Sequence, residues 1–306
     1  MIASEATGSS MSHAPEALNG TRYVVITPAR NEGPEIEITI QGMLQQTVLP
    51  AKWIIVDDGS TDESVEILNG YAERVPWIEV VRRKDRGFRS PGGGVMEAFR
   101  DGYSVIGGFH WNFLVKLDAD LTLEPDYFER CFDRFQSNPQ LGVGGGTVFN
   151  ETPTGRVVES NPTFHVRGAT KIYRRDCWEA IGGLILSPGW DTFDEVKAAR
   201  LGWKTESFPE IMVLQRRETG ANEGTWRDYA KNGRANYICG YHPLFMLLKC
   251  LKRLPQRPYF VASFALAWGY LSSSFNGTKR ANDVSTIRYL RKQQLRRLLL
   301  MDSVWK

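Results

Sequence analysis

Three short apolar segments, each followed directly by a polar cluster, constrain this chain more than any other feature of its sequence. The segments are Tyr23–Ile26, Trp53–Val56 and Phe113–Leu117, and each has the length of a fully buried strand. Helical patterns separate them, which is the arrangement of βα units around a mostly parallel sheet. Because the carboxyl ends of such strands open into a ligand-binding crevice, we expect an α/β fold with its site at that edge.

The polar clusters read TPARNE at Thr27–Glu32, DDGSTD at Asp57–Asp62 and DAD at Asp118–Asp120. Any one of them alone would be ordinary turn chemistry, but three in order, each after an apolar strand, form a specific signal. Asp118 and Asp120 are one residue apart at a strand end, so a turn there lets both carboxylates share a hard divalent cation. Carboxylate and phosphate oxygens suit Mg²⁺ or Mn²⁺ in that role.

The chain resembles the family 2 glycosyltransferases in these segments, whose nucleotide-sugar-binding fold is termed GT-A. The matching stretches are ITPARNE, WIIVDDGSTDES and LVKLDADLTLEPDYF, and the resemblance covers Tyr23 to Gly220. It implies a mostly parallel central sheet flanked by helices. It also implies an inverting transfer of one sugar from a UDP-, GDP- or dTDP-sugar, with Mg²⁺ or Mn²⁺ as the cofactor.

The resemblance assigns roles to individual residues. It implies Asp120 as the main metal ligand, with Asp118 nearer the ribose or bridging to the cation through water. Asp57 matches the family carboxylate that accepts a hydrogen bond from the nucleobase. The full set of donor-nucleotide residues that it implies is Pro28, Ala29, Glu32, Asp57 and Asp118.

The neighbouring residues of the second cluster have a structural alternative. Asp58 and Asp62 can shape only the turn and the start of the next helix. Ser60, with Glu63 three residues later, predicts a capping box for that helix.

Contacts to the donor diphosphate and sugar are expected from two further segments, at Arg86, Arg89, Gly94 and Arg217. Arg86 to Gly94 is a glycine- and arginine-rich loop before a helix, where backbone N–H groups can approach phosphate. Plain loop flexibility is the alternative there. Arg217 lies where processive members of the family carry a QxxRW motif, but the Trp is missing, which argues against a processive polymer synthase.

The catalytic base is expected at the start of a later helix. In the family this acid is the second of an ED-like pair and precedes a glycine by 11 residues, so Gly202 points to Asp191. The chain departs from that pattern, because Trp190 and not an acid precedes Asp191. Asp194, one turn further on, is the alternative base, and Asp191 could equally serve only as a helix N-cap.

The last part of the chain differs in charge from the rest. Residues 243–306 hold 12 Lys and Arg against 2 Asp, a local charge of +10, whereas the first 242 residues carry −7. Within this part, Pro258–Phe275 has no charge in 18 residues and would make a helix of about 27 Å, slightly short of a bilayer core of roughly 30 Å. We expect a C-terminal helical extension that lies on an anionic membrane. A spanning helix and a helix packed on the body are the alternatives, and an uncharged aromatic segment disfavours nucleic acid.

Three parts are therefore expected: a mobile N-terminal segment over residues 1–20, a catalytic domain over 21–220 and the extension over 221–306. The catalytic domain divides into a donor half, 21–124, and an acceptor half, 125–220. Four isolated cysteines and the absence of a signal-peptide pattern predict a cytoplasmic protein, peripheral to the cytoplasmic face of the membrane.

The leading hypothesis is transfer of one sugar to a lipid-linked or membrane-located saccharide in the synthesis of a cell-surface polysaccharide or glycoconjugate. A sugar-phosphate nucleotidyltransferase is one alternative, but its glycine-rich loop after the first strand is lacking, since no glycine occurs between that strand and Gly33. The other alternative is an inactive nucleotide-binding protein that docks on membranes. The intact acids Asp57, Asp118, Asp120 and Asp191 count against it.

Overall fold

The computed structural model describes residues 20–85, 87, 93–152, 155–158, 161–217 and 224–305. Within these residues one nine-stranded sheet runs through the molecule. Its strands are β1 Tyr23–Ala29, β2 Lys52–Asp57, β3 Ile78–Arg82, β4 Phe113–Leu117, β5 Leu121–Thr122, β6 Leu141–Thr152, β7 Gly155–Val158, β8 Thr170–Arg174 and β9 Lys204–Gln215.

The sheet is parallel in its first half and mixed in its second. The strand order is β3-β2-β1-β4-β8-β6-β9-β5, with β7 paired to β6. β1 pairs in parallel with both β2 and β4, whereas β8 runs antiparallel to β4 and β6. Because the chain leaves β1 towards one side and later returns on the other, a crevice opens at the carboxyl ends of β1 and β4. This is the edge that the sequence predicted for the site.

Ten helices accompany the sheet in the described residues. They are α1 Gly33–Leu44, α2 Ser64–Arg74, α3 Gly93–Ile106, α4 Tyr127–Ser137, α5 Arg175–Ile181, α6 Trp190–Arg200, α7 Thr225–Ile238, α8 Pro243–Arg253, α9 Val261–Phe275 and α10 Val284–Leu298.

Both faces of the sheet are covered, which is why its central strands are apolar throughout. Along β1, Tyr23 and Val25 pack on the side of α1, α2 and α4, while Val24 and Ile26 pack on the side of α3 and α5. All four are fully buried. A strand buried on both faces needs this continuous apolar run and not an alternating one.

The turn after β2 differs from the predicted capping box. α2 begins at Ser64, and its N-cap residue Glu63 makes no side-chain capping bond. The Ser60 backbone N–H instead donates to Asp57 Oδ1 at 2.8 Å, and Ser64 Oγ accepts the N–H groups of Glu32 and Gly33. The capping prediction was wrong because the serines of this turn bind the segment after β1.

The helices α7–α10 form the extension, which packs on α6 of the body. Phe193 and Val196 of α6 share a core with Ile287 and Leu290 of α10. Arg200 Nε also donates to Thr286 Oγ1 at 3.0 Å. Buried apolar contact joins the extension to the helix that carries the predicted base.

Two glycines let α7 and α9 cross unusually closely. A Cβ atom on Gly233 would lie 2.1 Å from the Leu266 carbonyl oxygen, and one on Gly269 would lie 1.9 Å from the Ala230 carbonyl oxygen. No other residue fits at either position without moving the backbone of the partner helix.

The uncharged segment of the sequence gives α9, a helix with two different sides. Ala262, Leu266 and Tyr270 are buried on the inner side, and Phe264 and Trp268 are 59% and 61% exposed on the outer side. Over the part of the chain that the structure describes, we find no helix both long and apolar enough to cross a membrane.

Candidate active site

The ends of β1 and β2 bring the first two polar clusters into contact. Ala29 is in register with Asp57, and the Asp58 N–H donates to the Ala29 carbonyl at 2.8 Å. The Asp57 carboxylate is 1% exposed as a residue and accepts the Ser60 N–H, while its second oxygen lies 3.4 Å from Arg82 Nε. Pro28 is half-buried in the same strand end. The predicted nucleoside residues Pro28, Ala29 and Asp57 therefore lie side by side.

Arg217 reaches the segment after β1 from the far side of the sheet. Its guanidinium donates to Glu32 Oε2 at 2.7 Å, to Glu35 Oε2 at 3.2 Å and to the Asn31 carbonyl at 3.3 Å. Arg217 follows β9, whose pairing with β5 carries it to this edge. The structure thus joins Arg217 to Glu32, two residues that the sequence separates by 185 positions.

The third cluster follows β4. Asp118 contacts the buried Lys116 ammonium, and its N–H donates to the Ala169 carbonyl at 2.7 Å. Asp120 is 8% exposed, and Gln215 Nε2 donates to its Oδ2 at 3.3 Å. Burial and the neighbouring Asp118 raise the pKa of Asp120 to about 6.

The donor set at this turn fits a hard divalent cation whose shell is completed from outside the protein. In the described ranges, no group of three or more His, Cys, Asp and Glu side chains is arranged to hold a metal. Asp118 and Asp120 supply two carboxylates close enough for one to raise the pKa of the other. Such a pair holds Mg²⁺ or Mn²⁺ when substrate phosphates and water provide the remaining oxygens.

The two predicted bases have different surroundings although both lie on α6. Asp194 is buried, with Lys171 Nζ at 3.0 Å and the Tyr173 hydroxyl at 2.5 Å from its Oδ2. Burial raises the pKa of Asp194, the adjacent Glu195 adds to the effect, and Lys171 offsets only part of it. An enclosed carboxylate with these partners has no free path to a substrate hydroxyl.

Asp191 is half-buried and lines a cavity. The N-cap of α6 is Gly189 and no side chain caps it, so the N-cap alternative for Asp191 was wrong. Burial by itself would raise the pKa of Asp191, but the positive charges of His165, Lys171 and Arg167 outweigh it and leave the pKa below its usual value. These charges therefore favour the ionised form of the Asp191 carboxyl.

A buried charged network that the sequence analysis missed supports this helix. Lys171, fully buried, pairs with Glu195 at 2.8 Å and donates to the Asp191 carbonyl at 2.6 Å. Glu195 also binds His165 Nδ1 at 2.9 Å, and it raises the pKa of His165 against the lowering effect of burial. The network fixes both ends of the first turn of α6.

Trp190 links α6 to the turn after β4, which holds Asp118 and Asp120. Lys116 Nζ lies 5.7 Å and Lys171 Nζ 5.4 Å from the centre of its rings. Both ammonium groups are thus within cation–π distance of one indole. The residue that breaks the expected ED-like pair stands between the cation beside Asp118 and the cation beside Asp194.

Comparison with known proteins identifies the family. Residues 24–186 match the profile described as Glycosyl transferase family 2. The chain belongs to this family. An uncharacterised glycosyltransferase of Escherichia coli, YibD, is 30% identical over 74% of this chain and 54% of its own length. Chondroitin synthase of Pasteurella multocida is 28% identical over 44% of this chain, which corresponds to only 13% of that protein.

Solved structures confirm the predicted GT-A fold. The mannosyltransferase PcManGT of Pyrobaculum calidifontis, solved with GDP-Man and Mn²⁺, aligns with a TM-score of 0.55 at 16% identity over 94% of this chain and 83% of its own. TarS 1–349 of S. aureus, solved with UDP-GlcNAc, aligns with a TM-score of 0.53 at 15% identity over 90% of this chain and 78% of its own. At such identities the likeness shows the fold alone.

Two of the predicted diphosphate contacts of this family 2 chain, Arg86 and Arg89, lie outside the described residues. Gly94 is described and is buried in the first turn of α3, which packs on β1 and β2. The buried lysines of the site could have been found in the sequence. Lys116 and Lys171 each lie within a buried strand, FLVKL and TKIYR respectively. A charge buried in a strand needs a partner.

A cavity of about 1020 Å³ opens beside Asp191, between the body of this family 2 chain and its extension. His165, Arg167 and Trp190 line it on the body side, and residues of α7, α8 and α10 line the other side. Asp118 and Asp120 are not part of its lining. Asp191 therefore borders a space large enough for a sugar.

Proposed function

We propose that this chain is an inverting glycosyltransferase that moves one sugar from a nucleotide-diphosphate sugar to an acceptor hydroxyl. One observation carries the proposal: Asp191 lines a sugar-sized cavity, and the ring of Trp190 beside it lies 5.7 Å from the ammonium of Lys116, which contacts Asp118. Membership of glycosyl transferase family 2 supports it.

The donor nucleotide would bind where Pro28, Ala29 and Asp57 lie side by side, with the Asp57 carboxylate facing the base and Glu32 near the ribose. GDP-Man and UDP-GlcNAc are the donors bound to two structural neighbours, so the panel of candidate donors is the UDP-, GDP- and dTDP-sugars. Arg217, already held at Glu32, is near enough to add positive charge beside the diphosphate.

The metal would be Mg²⁺ or Mn²⁺ held by Asp120 and Asp118, and it would supply positive charge to the departing diphosphate. Asp191 would take the proton of the acceptor hydroxyl as its oxygen forms a bond to the anomeric carbon. The bond from that carbon to the phosphate oxygen breaks, and its electron pair leaves with the nucleoside diphosphate. Attack opposite the leaving group inverts the configuration.

The extension would place the enzyme on an anionic membrane, as a peripheral protein of the cytoplasmic face. Its outer surface carries exposed apolar side chains on α8, among them Leu247 and Leu251, and on α9 at Phe264, Trp268 and Phe275. The +10 charge of residues 243–306 complements an anionic lipid surface, and apolar burial and charge attraction act together in such anchors. The acceptor would accordingly be a lipid-linked or membrane-located saccharide of a cell-surface polysaccharide or glycoconjugate.

The family match gives the nucleotidyltransferase alternative no support. The alternative of an inactive docking protein is disfavoured because the four acids of the proposed mechanism are all present.

A donor screen tests the proposal. Purified protein is incubated with UDP-, GDP- and dTDP-sugars and Mn²⁺, and the release of nucleoside diphosphate is measured with and without EDTA. We expect slow metal-dependent hydrolysis of one donor class, abolished by EDTA. Absence of both binding and hydrolysis across the panel would contradict the proposed function.

A further inference from the structure

The cavity beside Asp191 has an excess of positive charge on one side. Its extension side is lined by five basic residues, which we call the cationic wall: Lys231, Lys249, Lys252, Arg253 and Arg297. Of the acids, only Asp191 and Asp228 line the same cavity among the described residues. Neither lies on α8 or α10, the helices that carry four of the five cations.

The cationic wall has no carboxylate partners within the described part of the chain. None of its five residues forms an ion pair with another described residue. Elsewhere the structure pairs its cations readily, as with Lys171 and Arg217. Cations gathered without partners around a cavity are unfavourable unless an anion enters it.

Lys249 shows this imbalance most clearly. Its ammonium lies 5.3 Å from the centre of the Tyr241 ring, and Arg253 is its neighbour one turn along α8. Burial and the repulsion of Arg253 lower the pKa of Lys249 to about 8. An anion bound between Lys249 and Arg253 would remove the repulsion and restore full protonation.

Arg253 is held in place for such a role by an aromatic partner. Its Nη2 donates to the Tyr229 hydroxyl at 2.6 Å and its guanidinium lies 4.5 Å from the centre of that ring. Its Nε is buried without a hydrogen-bond partner. A buried donor without an acceptor costs free energy that a ligand oxygen would recover.

The cationic wall and the proposed base are at different places in the cavity. Asp191 lies on α6 of the body, whereas the five cations lie on α7, α8 and α10 of the extension. Cys239 Sγ contacts the Gly189 carbonyl, at the N-cap of α6. A ligand that spans the cavity would therefore present one end to Asp191 and its anionic end to the cationic wall.

We propose that the cationic wall binds a phosphate group of the acceptor, so that the acceptor is a phosphate-bearing molecule whose sugar hydroxyl faces Asp191. The identification of this ligand as the acceptor rests on the proposed function, but phosphate binding in the cavity can be measured without any donor. The phosphate has two sources of the same chemistry: the head group of a lipid phosphate, or a soluble phosphorylated saccharide.

The test measures binding by calorimetry with four probes in EDTA, so that no cation bound at Asp120 contributes. Decyl phosphate, below its micelle concentration, represents the lipid source, and glucose 6-phosphate represents the soluble source. Decyl glucoside and glucose are their neutral counterparts. The variants are Lys249→Met, which keeps the side-chain length, and Lys292→Met, which removes the same charge from an exposed site of α10 outside the cavity.

We expect a phosphate probe to bind the wild type and the Lys292→Met variant alike, and the Lys249→Met variant about tenfold more weakly. Binding of decyl phosphate alone assigns the lipid source, and binding of glucose 6-phosphate alone assigns the soluble source. If Lys249→Met proves unstable, Arg297→Gln, at an exposed position of the cationic wall, replaces it, and we expect this variant also to bind the phosphate probe more weakly than the wild type.

Equal phosphate affinity in all variants would overturn the inference, and so would neutral probes that bind as tightly as their phosphate counterparts. Failure of every phosphate probe to bind the wild type would also overturn it. The donor screen remains independent of these outcomes. Phosphate binding with neither binding nor cleavage of any donor contradicts the proposed function alone, and donor cleavage without phosphate binding contradicts this inference alone.

Discussion

The carboxyl edge of the sheet and the cationic wall handle charge in opposite ways. At the sheet edge each carboxylate of the proposed donor site has a partner within the protein: Asp57 has Ser60, Glu32 has Arg217, Asp118 has Lys116 and Asp120 has Gln215. On the cationic wall Lys249 faces an aromatic ring and forms no ion pair with any described residue. The first region is organised before any ligand arrives, and the second needs an anion from outside.

The same contrast appears in the comparison with known proteins. The family match covers residues 24–186, which include the four sheet-edge carboxylates but not Gln215 or Arg217, and it ends before α6 and the extension. A paired, preorganised donor site is suited to a ligand that all members share. The cationic wall, which has no ion pair among the described residues, belongs to the part of the chain outside the match. There an acceptor particular to this protein would be bound.

The largest expected effect is on the sheet edge. Asp120→Ala removes the main proposed metal ligand, so we expect transfer and donor hydrolysis to fall by on the order of 10³-fold, with loss of most donor binding. Nucleoside diphosphate release and donor calorimetry measure both. Asp133→Ala, an exposed acid of α4, is the matched control. Full activity of Asp120→Ala, or of the wild type in EDTA, would disprove the metal assignment.

The buried network between the two regions is tested by stability. Lys171→Met leaves Asp194 and Glu195 buried without their cation, so we expect the free energy of unfolding to fall by about 3–5 kcal/mol. Lys197→Met removes a half-buried lysine 3.5 Å from Asp283, and we expect it to cost at most about 1 kcal/mol. Urea unfolding distinguishes them. Similar losses in the two variants would mean that the network is no more than a surface ion pair in strength.

The choice of base is tested by Asp191→Asn. We expect it to keep donor binding and to slow transfer by on the order of 10²-fold or more, because a neutral amide cannot take the hydroxyl proton. Asp194→Asn provides the comparison on the same helix face. If Asp194→Asn slows transfer in this way and Asp191→Asn leaves it near the wild-type rate, the base has been assigned to the wrong acid.

The smallest expected effect concerns the membrane. The protein should sediment with anionic vesicles, less with neutral ones, and less as salt rises, because each basic residue near the surface contributes about 1 kcal/mol that salt screens. Replacing Phe264 and Trp268 by Ser should reduce sedimentation severalfold by removing apolar burial. Replacing the exposed Val157 and Val158 of β7 by Ser is the control. No sedimentation at low salt would contradict the membrane proposal.

Much of the fold follows from the sequence because the central strands are buried on both faces. Phe113–Leu117 is the fourth strand as expected, and α9 was expected as a helix within Pro258–Phe275. The local pattern could not tell which side of α9 would be covered, because the cover is α7, a distant segment whose Gly233 permits the contact. The capping box failed for a similar reason, since a segment 31 positions away uses Ser64.

The sequence could predict those site residues whose positions depend on the end of a single strand. Asp57, Asp118 and Asp120 lie at or just after the ends of β2 and β4, and the parallel pairing of both strands with β1 places them at one edge of the sheet. The pairing of Arg217 with Glu32 depends on the curvature of the whole sheet, and no spacing in the sequence encodes it. The difference between Asp191 and Asp194 likewise depends on Lys171 and Tyr173 of β8, which surround one carboxylate and leave the other at the cavity.

The close crossing of α7 and α9 at Gly233 and Gly269 also keeps the exposed face of α9 close to the cavity. The inner side of α9 touches α7, and both helices border the cavity, α9 through Leu266 and α7 through Lys231. The cavity therefore lies one helix away from the exposed face of α9. Helices in contact through glycine lie at about 8 Å, the short end of interaxial distances. An acceptor anchored in a bilayer beneath α9 would therefore need to reach outward by little more than the thickness of one helix, about 10–12 Å.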